Sequence, residues 1–238
     1  MVRRMSDAPP IAAGFFVTKT AERGEARSPD LLPGVLTSLS PCIAASYQVS
    51  WAWDVEKDGN EAVEFGIAEP RLPELQEWER SHGVSFPNVF HSLADARAFV
   101  ATFLPDAADV VIVGAGLPAE LVDAFLADEV QITYDATTGT EKEACFGVNL
   151  VLSERKPLPP GGEPLGFEMV LYGYNLECSW LCTGTERAVE KALAVRPNAH
   201  GLIEGEADAR RVNDWMAQHP EESEPGPYYP WLLVRYPR

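Results

Sequence analysis

Residues 165–184, LGFEMVLYGYNLECSWLCTG, decide how this chain is read. Leu165, Phe167, Met169 and Leu171 alternate with Gly166, Glu168, Val170 and Tyr172, the period-2 pattern of a half-buried strand. Gly173 and Asn175 turn the chain into a second apolar cluster, Trp180, Leu181 and Cys182. Thr183 with Glu186 three residues later has the spacing of a capping box, so a helix is expected to begin there. Strand, turn and helix start follow without a break, and Phe167 and Trp180 are expected in the core.

Working outward, the C-terminal side predicts helices over residues 186–195 and 206–218 and a closing strand over 231–236. On the N-terminal side, a strand is expected over 144–152, separated from the central one by PLPPGGEP, with another over 130–134. A short buried strand at 109–113 runs into a helix from Pro118, whose Leu121, Val122, Phe125 and Leu126 form an inward stripe. Ser92, with Asp95 at the N3 position, opens a helix whose apolar stripe runs from Leu93 to Leu104, where Pro105 stops it. Leu72, Leu75 and Trp78 recur at spacings of three and mark an earlier helix after Pro70. Before it, residues 42–55 and 62–67 read as a hairpin turning at Asp58, Gly59 and Asn60. Residues 11–18 form a first strand, followed by the loop-like tract RGEARSPDLLPG, and residues 1–10 are expected to be disordered. The sum is an α+β fold over residues 11–238, one domain with a mixed or largely antiparallel sheet and helices packed on it.

Composition narrows the function. Among 238 residues, 36 Asp and Glu stand against 19 Lys and Arg, a formal net charge of −17. Such a surface repels nucleic acid and anionic membranes, and favours a basic partner. The N-terminal apolar run is too short for a secretory segment, and no stretch approaches the ~20 apolar residues of a membrane span, so a cytoplasmic protein is expected. Cys42, Cys145, Cys178 and Cys182 lie in apolar surroundings without a CxxC pair and read as reduced core residues.

Two sequence features point to specific chemistry. The first is VVIVGAGLPAEL at 110–121, where Gly114, Gly116 and Ala119 fit the G-x-G-x-x-[GA] pattern of a turn that cradles a pyrophosphate, and Asp135 stands about where a ribose-binding carboxylate belongs. Pro118 removes one donor from that turn, and the following segments do not read as further βαβ units. A small nucleotide-binding enzyme is therefore the alternative reading, and the main reading takes no cofactor. Cys178, Cys182, His200 and Glu177 carry no signature of a nucleophilic site, and His82, His91, His200 and His219 show no metal-ligand spacing.

The second feature is where the acid falls. Asp54, Glu56, Asp58, Glu61 and Glu64 crowd the predicted hairpin, offset only by Lys57. Glu221, Glu222 and Glu224 sit in a Pro-rich tract, expected to be an exposed loop, beside Tyr228, Tyr229 and Trp231. Carboxylates that steer and pair with Lys and Arg, next to aromatic groups that supply contact area, suit recognition of a basic protein surface.

LGFEMVLYGYNLECSWLCTG, NAHGLI at 198–203 and YYPWLLVRYP at 228–237 together resemble bacterial immunity proteins that accompany polymorphic or contact-dependent toxins, with GLPAELVDAFL at 116–126 as a further piece. The resemblance lies mainly in the C-terminal third and carries over no functional residue. It implies a stoichiometric inhibitor that binds a cognate toxin domain and blocks its active site.

Overall fold

The computed structural model describes residues 8–19, 21–22, 35–36, 63, 66–82, 84–85, 89–128, 132–135, 140–143, 147–172, 176–223 and 226–238. In chain order the elements are β1 (Ile11–Lys19), β2 (Ala21–Glu22), β3 (Val35–Leu36), α1 (Leu72–Ser81), β4 (Val84–Ser85), β5 (Val89–Phe90), α2 (Leu93–Phe103), β6 (Val110–Leu117) and α3 (Val122–Asp128). There follow β7 (Ile132–Asp135), β8 (Thr140–Glu143), α4 (Gly147–Ser153), β9 (Glu163–Tyr172), β10 (Leu176–Ser179), α5 (Thr185–Leu193), α6 (Glu206–Gln218) and β11 (Tyr228–Tyr236). The fold is α+β around a seven-stranded antiparallel sheet of order β10-β9-β11-β6-β1-β5-β4. β2 pairs with β3, and β7 with β8, outside this sheet.

The strand latest in chain order lies inside the sheet and not at its edge. β11 pairs with β9 on one edge and β6 on the other, so it joins the C-terminal half to the N-terminal half. Its side chains alternate as a strand buried on both faces requires. Tyr229, Trp231 and Leu233 enter one cluster with Phe125 of α3 and Val148 and Leu152 of α4. On the opposite face lie two neighbouring clusters. Val234 and Tyr236 join Phe15, Leu75, Phe99 and Phe103 beneath α1 and α2. Tyr228 joins Phe167, Met169, Trp180, Val189 and Val212 beneath α5 and α6. Partly buried Leu232 touches both of these clusters.

The central stretch folds as its alternation requires: Phe167 and Trp180 are core residues, 6% and 0% exposed. Ser92 caps α2, accepting from the Asp95 amide at 3.1 Å, while its hydroxyl donates to the Asp95 carboxylate at 2.6 Å. Five expectations need correction. Residues 147–153 are helical, because Val148, Val151 and Leu152 bury one helical face and a short apolar run reads equally as helix or strand. Within 62–67, the described residues form a turn in which the Gly66 amide donates to the Val63 carbonyl at 3.0 Å. The strand expected at 109–113 continues through the glycines to Leu117. Thr183 does not cap α5: the N-cap is Gly184, at φ 75°, with no side-chain cap, and Thr183 Oγ1 instead hydrogen-bonds Thr185 Oγ1 at 2.7 Å. Tyr228 and Tyr229 are strand residues 6% exposed, because pairing of β11 with β9 carries them into the sheet. The strand expected at 42–55 lies outside the described residues.

PLPPGG forms a strap over the sheet. The Ala12 amide donates to the Lys156 carbonyl at 2.8 Å and the Leu158 amide to the Pro10 carbonyl at 3.0 Å, while the Tyr236 hydroxyl donates to the Pro159 carbonyl at 2.8 Å. Burial pushes that phenol up to about 12. The loop NAHGLI docks on β9 through reciprocal Phe167–Ile203 backbone bonds of 2.7 and 2.8 Å, and the Asn198 amide group holds it by donating to the Leu165 carbonyl at 2.8 Å. Among the described residues, no helix is long and apolar enough to cross a membrane.

Candidate partner-binding site

The turn after α6 is tied to the start of α5, and it carries the two acids singled out from the sequence that lie among the described residues. Glu221 and Glu222 lie exposed in the 3-10 turn Pro220–Glu222, directly after α6. The Thr185 hydroxyl donates to the Glu222 carbonyl at 2.7 Å, tying that turn to the first residue of α5. At the C-terminus of α6, His219 stacks on Trp215 with ring centroids 4.5 Å apart, and its Nδ1–H donates to the Trp215 carbonyl at 2.8 Å. The carbonyl end of a helix is the negative end of its dipole, so the turn adds two carboxylates to a place already favourable to cations. Asp54, Glu56, Asp58, Glu61, Glu64 and Glu224 lie outside the described residues.

Glu186, one residue into α5, was read only as half of a capping box. It is 5% exposed, and its Oε2 has no hydrogen-bond partner. Its Oε1 stands 3.5 Å from Nε of Arg187, whose side chain is 72% exposed, so the carboxylate lies one side chain beneath the surface. Burial raises its pKa, opposed by a hydrogen bond from its own backbone amide and by Arg187. Next to it in the chain, buried Thr185 is hydrogen-bonded to exposed Thr183. The sequence signal for burial is faint, because an acid in the first turn of a helix is commonplace.

Gly114 and Gly116 do not form a phosphate-binding turn. Both lie inside β6, with Gly114 opposite Phe15 and Val234 and Gly116 opposite Ala12 and Leu232, whereas a pyrophosphate needs free amides at the strand's end. Packing explains the glycines. A Cβ at Gly116 would stand 2.5 Å from Leu158 Cδ1 of the strap, and one at Gly114 2.7 Å from Tyr236 Cε2. Asp135 closes β7, which pairs with β8 and not with the main sheet. Tyr228 and Tyr229 face opposite sides of the sheet, so they do not form one aromatic patch beside the acids. Cys182 is a partly buried, reduced cysteine. Among the described residues, no three His, Cys, Asp or Glu side chains come together as a metal site.

Basic side chains elsewhere are occupied locally. Arg71 pairs with Glu74, Arg155 with Asp123, Lys156 with Glu154, Arg196 with Glu190, Arg210 with Glu120 and Glu206, Arg211 with Asp208, and Arg235 with Glu163. The chain matches no protein-family model, no curated protein and no solved structure.

Proposed function

We propose that this chain is a cytoplasmic immunity-type inhibitor, an acidic module that binds a basic toxin domain and blocks it, and that it works by association and not by catalysis. The observation carrying this reading is the charge surplus: 36 acidic against 19 basic residues, with most of the described basic side chains already held by neighbouring carboxylates. Excess carboxylates with no local cation steer a basic surface towards the protein and disfavour acidic partners. Toxin domains that act on nucleic acid or nucleotides need basic surfaces, which such a protein covers. The resemblance of the C-terminal third to immunity proteins supports the same reading.

The test is co-expression with the product of the adjoining gene. A stable complex on size exclusion, and loss of that product's toxicity when this chain is present, are expected. A neighbour that is not toxic, or that forms no complex with the purified chain, contradicts the proposal.

A further inference from the structure

We propose that Glu186 is the anchor of the partner site: beneath Arg187 and beside the Glu221–Glu222 turn, its carboxylate takes an arginine guanidinium from the basic partner. This rests on the reading above for the partner's sign and deepens it by naming one side chain and one chemical group. Three observations meet here. A carboxylate 5% exposed leaves Oε2 without a donor, although buried acceptors are ordinarily satisfied. Among the described residues its ion-pair partner is Arg187, whose side chain is 72% exposed and 3.5 Å away, a long contact with little geometric hold. The Thr185–Glu222 bond places exposed Glu221 and Glu222 on the neighbouring turn, where they supply the outer field that draws a cation in.

An arginine fits this place better than a lysine. Its planar fork presents parallel N–H donors to both oxygens of one carboxylate, satisfying Oε2 while replacing Arg187 at Oε1. A guanidinium is also more weakly hydrated than an ammonium, so entering a site that is 95% covered costs it less. Arg187 then serves as a resident stand-in that keeps Glu186 paired while the partner is absent.

The test uses the purified chain and a small probe, N-acetyl-arginine methylamide, with the uncharged citrulline analogue as control, followed by amide NMR. Saturable shifts at Thr185, Glu186 and Arg187 with the arginine compound alone are expected. Glu186→Gln should weaken that binding at least tenfold, and Arg187→Ala should tighten it several-fold by removing the competitor. Equal shifts with citrulline, or unchanged affinity in both variants, would overturn the anchor. Should Glu186→Gln fail to fold, the direction of the Arg187→Ala effect decides alone, and a weakening counts against the proposal. Probe binding without any complex with the adjoining gene product would defeat the immunity reading and spare the anchor. A complex indifferent to Glu186→Gln would do the reverse.

Discussion

Two helix pairs sit side by side on one face of the sheet, and they end alike. α1 closes with Trp78 and His82, α6 with Trp215 and His219; in each the rings stack, at 3.8 and 4.5 Å, and the histidine Nδ1–H donates to the tryptophan carbonyl four residues earlier. Beneath this shared cap the pairs differ. Trp78 meets Phe90, Phe99 and Phe103 at 6.1, 5.7 and 5.9 Å, a mostly aromatic contact. The α5–α6 pair covers a cluster with more aliphatic members and carries buried Thr185 and Glu186 at its margin. Each pair also holds a carboxylate whose pKa is raised by burial. Burial pushes Glu79, on α1, up to about 8, while the rise at Glu186 is opposed by Arg187. The contrast separates two uses of one chemistry: the burial of Glu79 makes stability depend on pH, and Glu186 beside exposed Arg187 is the contact proposed to exchange for a partner's arginine.

The largest effects should show the two regions to be equally structural. Trp180→Ala and Phe99→Ala each remove a side chain that is 0% exposed, and each should cost about 3 to 5 kcal/mol in denaturant unfolding. An unchanged midpoint for Trp180→Ala would mean that the α5–α6 side is no core at all. Next comes Glu79. Its carboxyl ionises near 4.5 in the unfolded chain and near 8 in the folded one, so between those values the unfolded state sheds its proton first. Stability should therefore be highest below pH 4.5 as far as this group is concerned and should fall, by on the order of a few kcal/mol, as pH rises to about 8. Glu79→Gln should flatten that window and be the more stable protein above it; an unchanged pH profile would remove the distinction drawn between the two acids.

How much of this was legible in the sequence depends on whether the cause lay nearby. The alternation of β9 and the Ser92 cap of α2 are local, and both were read from a few residues. The glycines of β6 looked like a turn because their reason, Leu158 of the strap and Tyr236 of β11, lies 42 and 122 positions away. Tyr228 and Tyr229 looked like part of a loop because Pro and Glu precede them, yet pairing with a strand over 50 residues earlier decides their burial. The burial of Glu186 is not legible either, since an acid in the first turn of a helix is ordinarily exposed. The paired WERSH and WMAQH endings also stand in the sequence as Trp and His four apart, but that spacing was not read there as a helix ending.

Smaller effects sharpen the comparison further. Gly116→Val should push Leu158 off the sheet and cost about 1 to 3 kcal/mol, with Leu158→Ala in the same chain recovering part of the loss. NAD(H) or NADP(H) should leave the melting temperature unchanged in either background. A concentration-dependent rise would revive the nucleotide-binding alternative. The mildest changes are His82→Ala and His219→Ala, each expected to cost about 0.5 to 1.5 kcal/mol through its lost carbonyl bond. If only one costs anything, the two caps are not equivalent.

Association kinetics with the adjoining gene product test most directly the proposed steering of a basic partner to the α5–α6 end. Measured by stopped flow from low to high salt, the association rate constant should fall steeply, about tenfold or more across a few hundred millimolar. The Glu221→Gln, Glu222→Gln double variant should associate more slowly at low salt and converge on the parent at high salt. A rate that is flat with ionic strength and identical in parent and variant would contradict it.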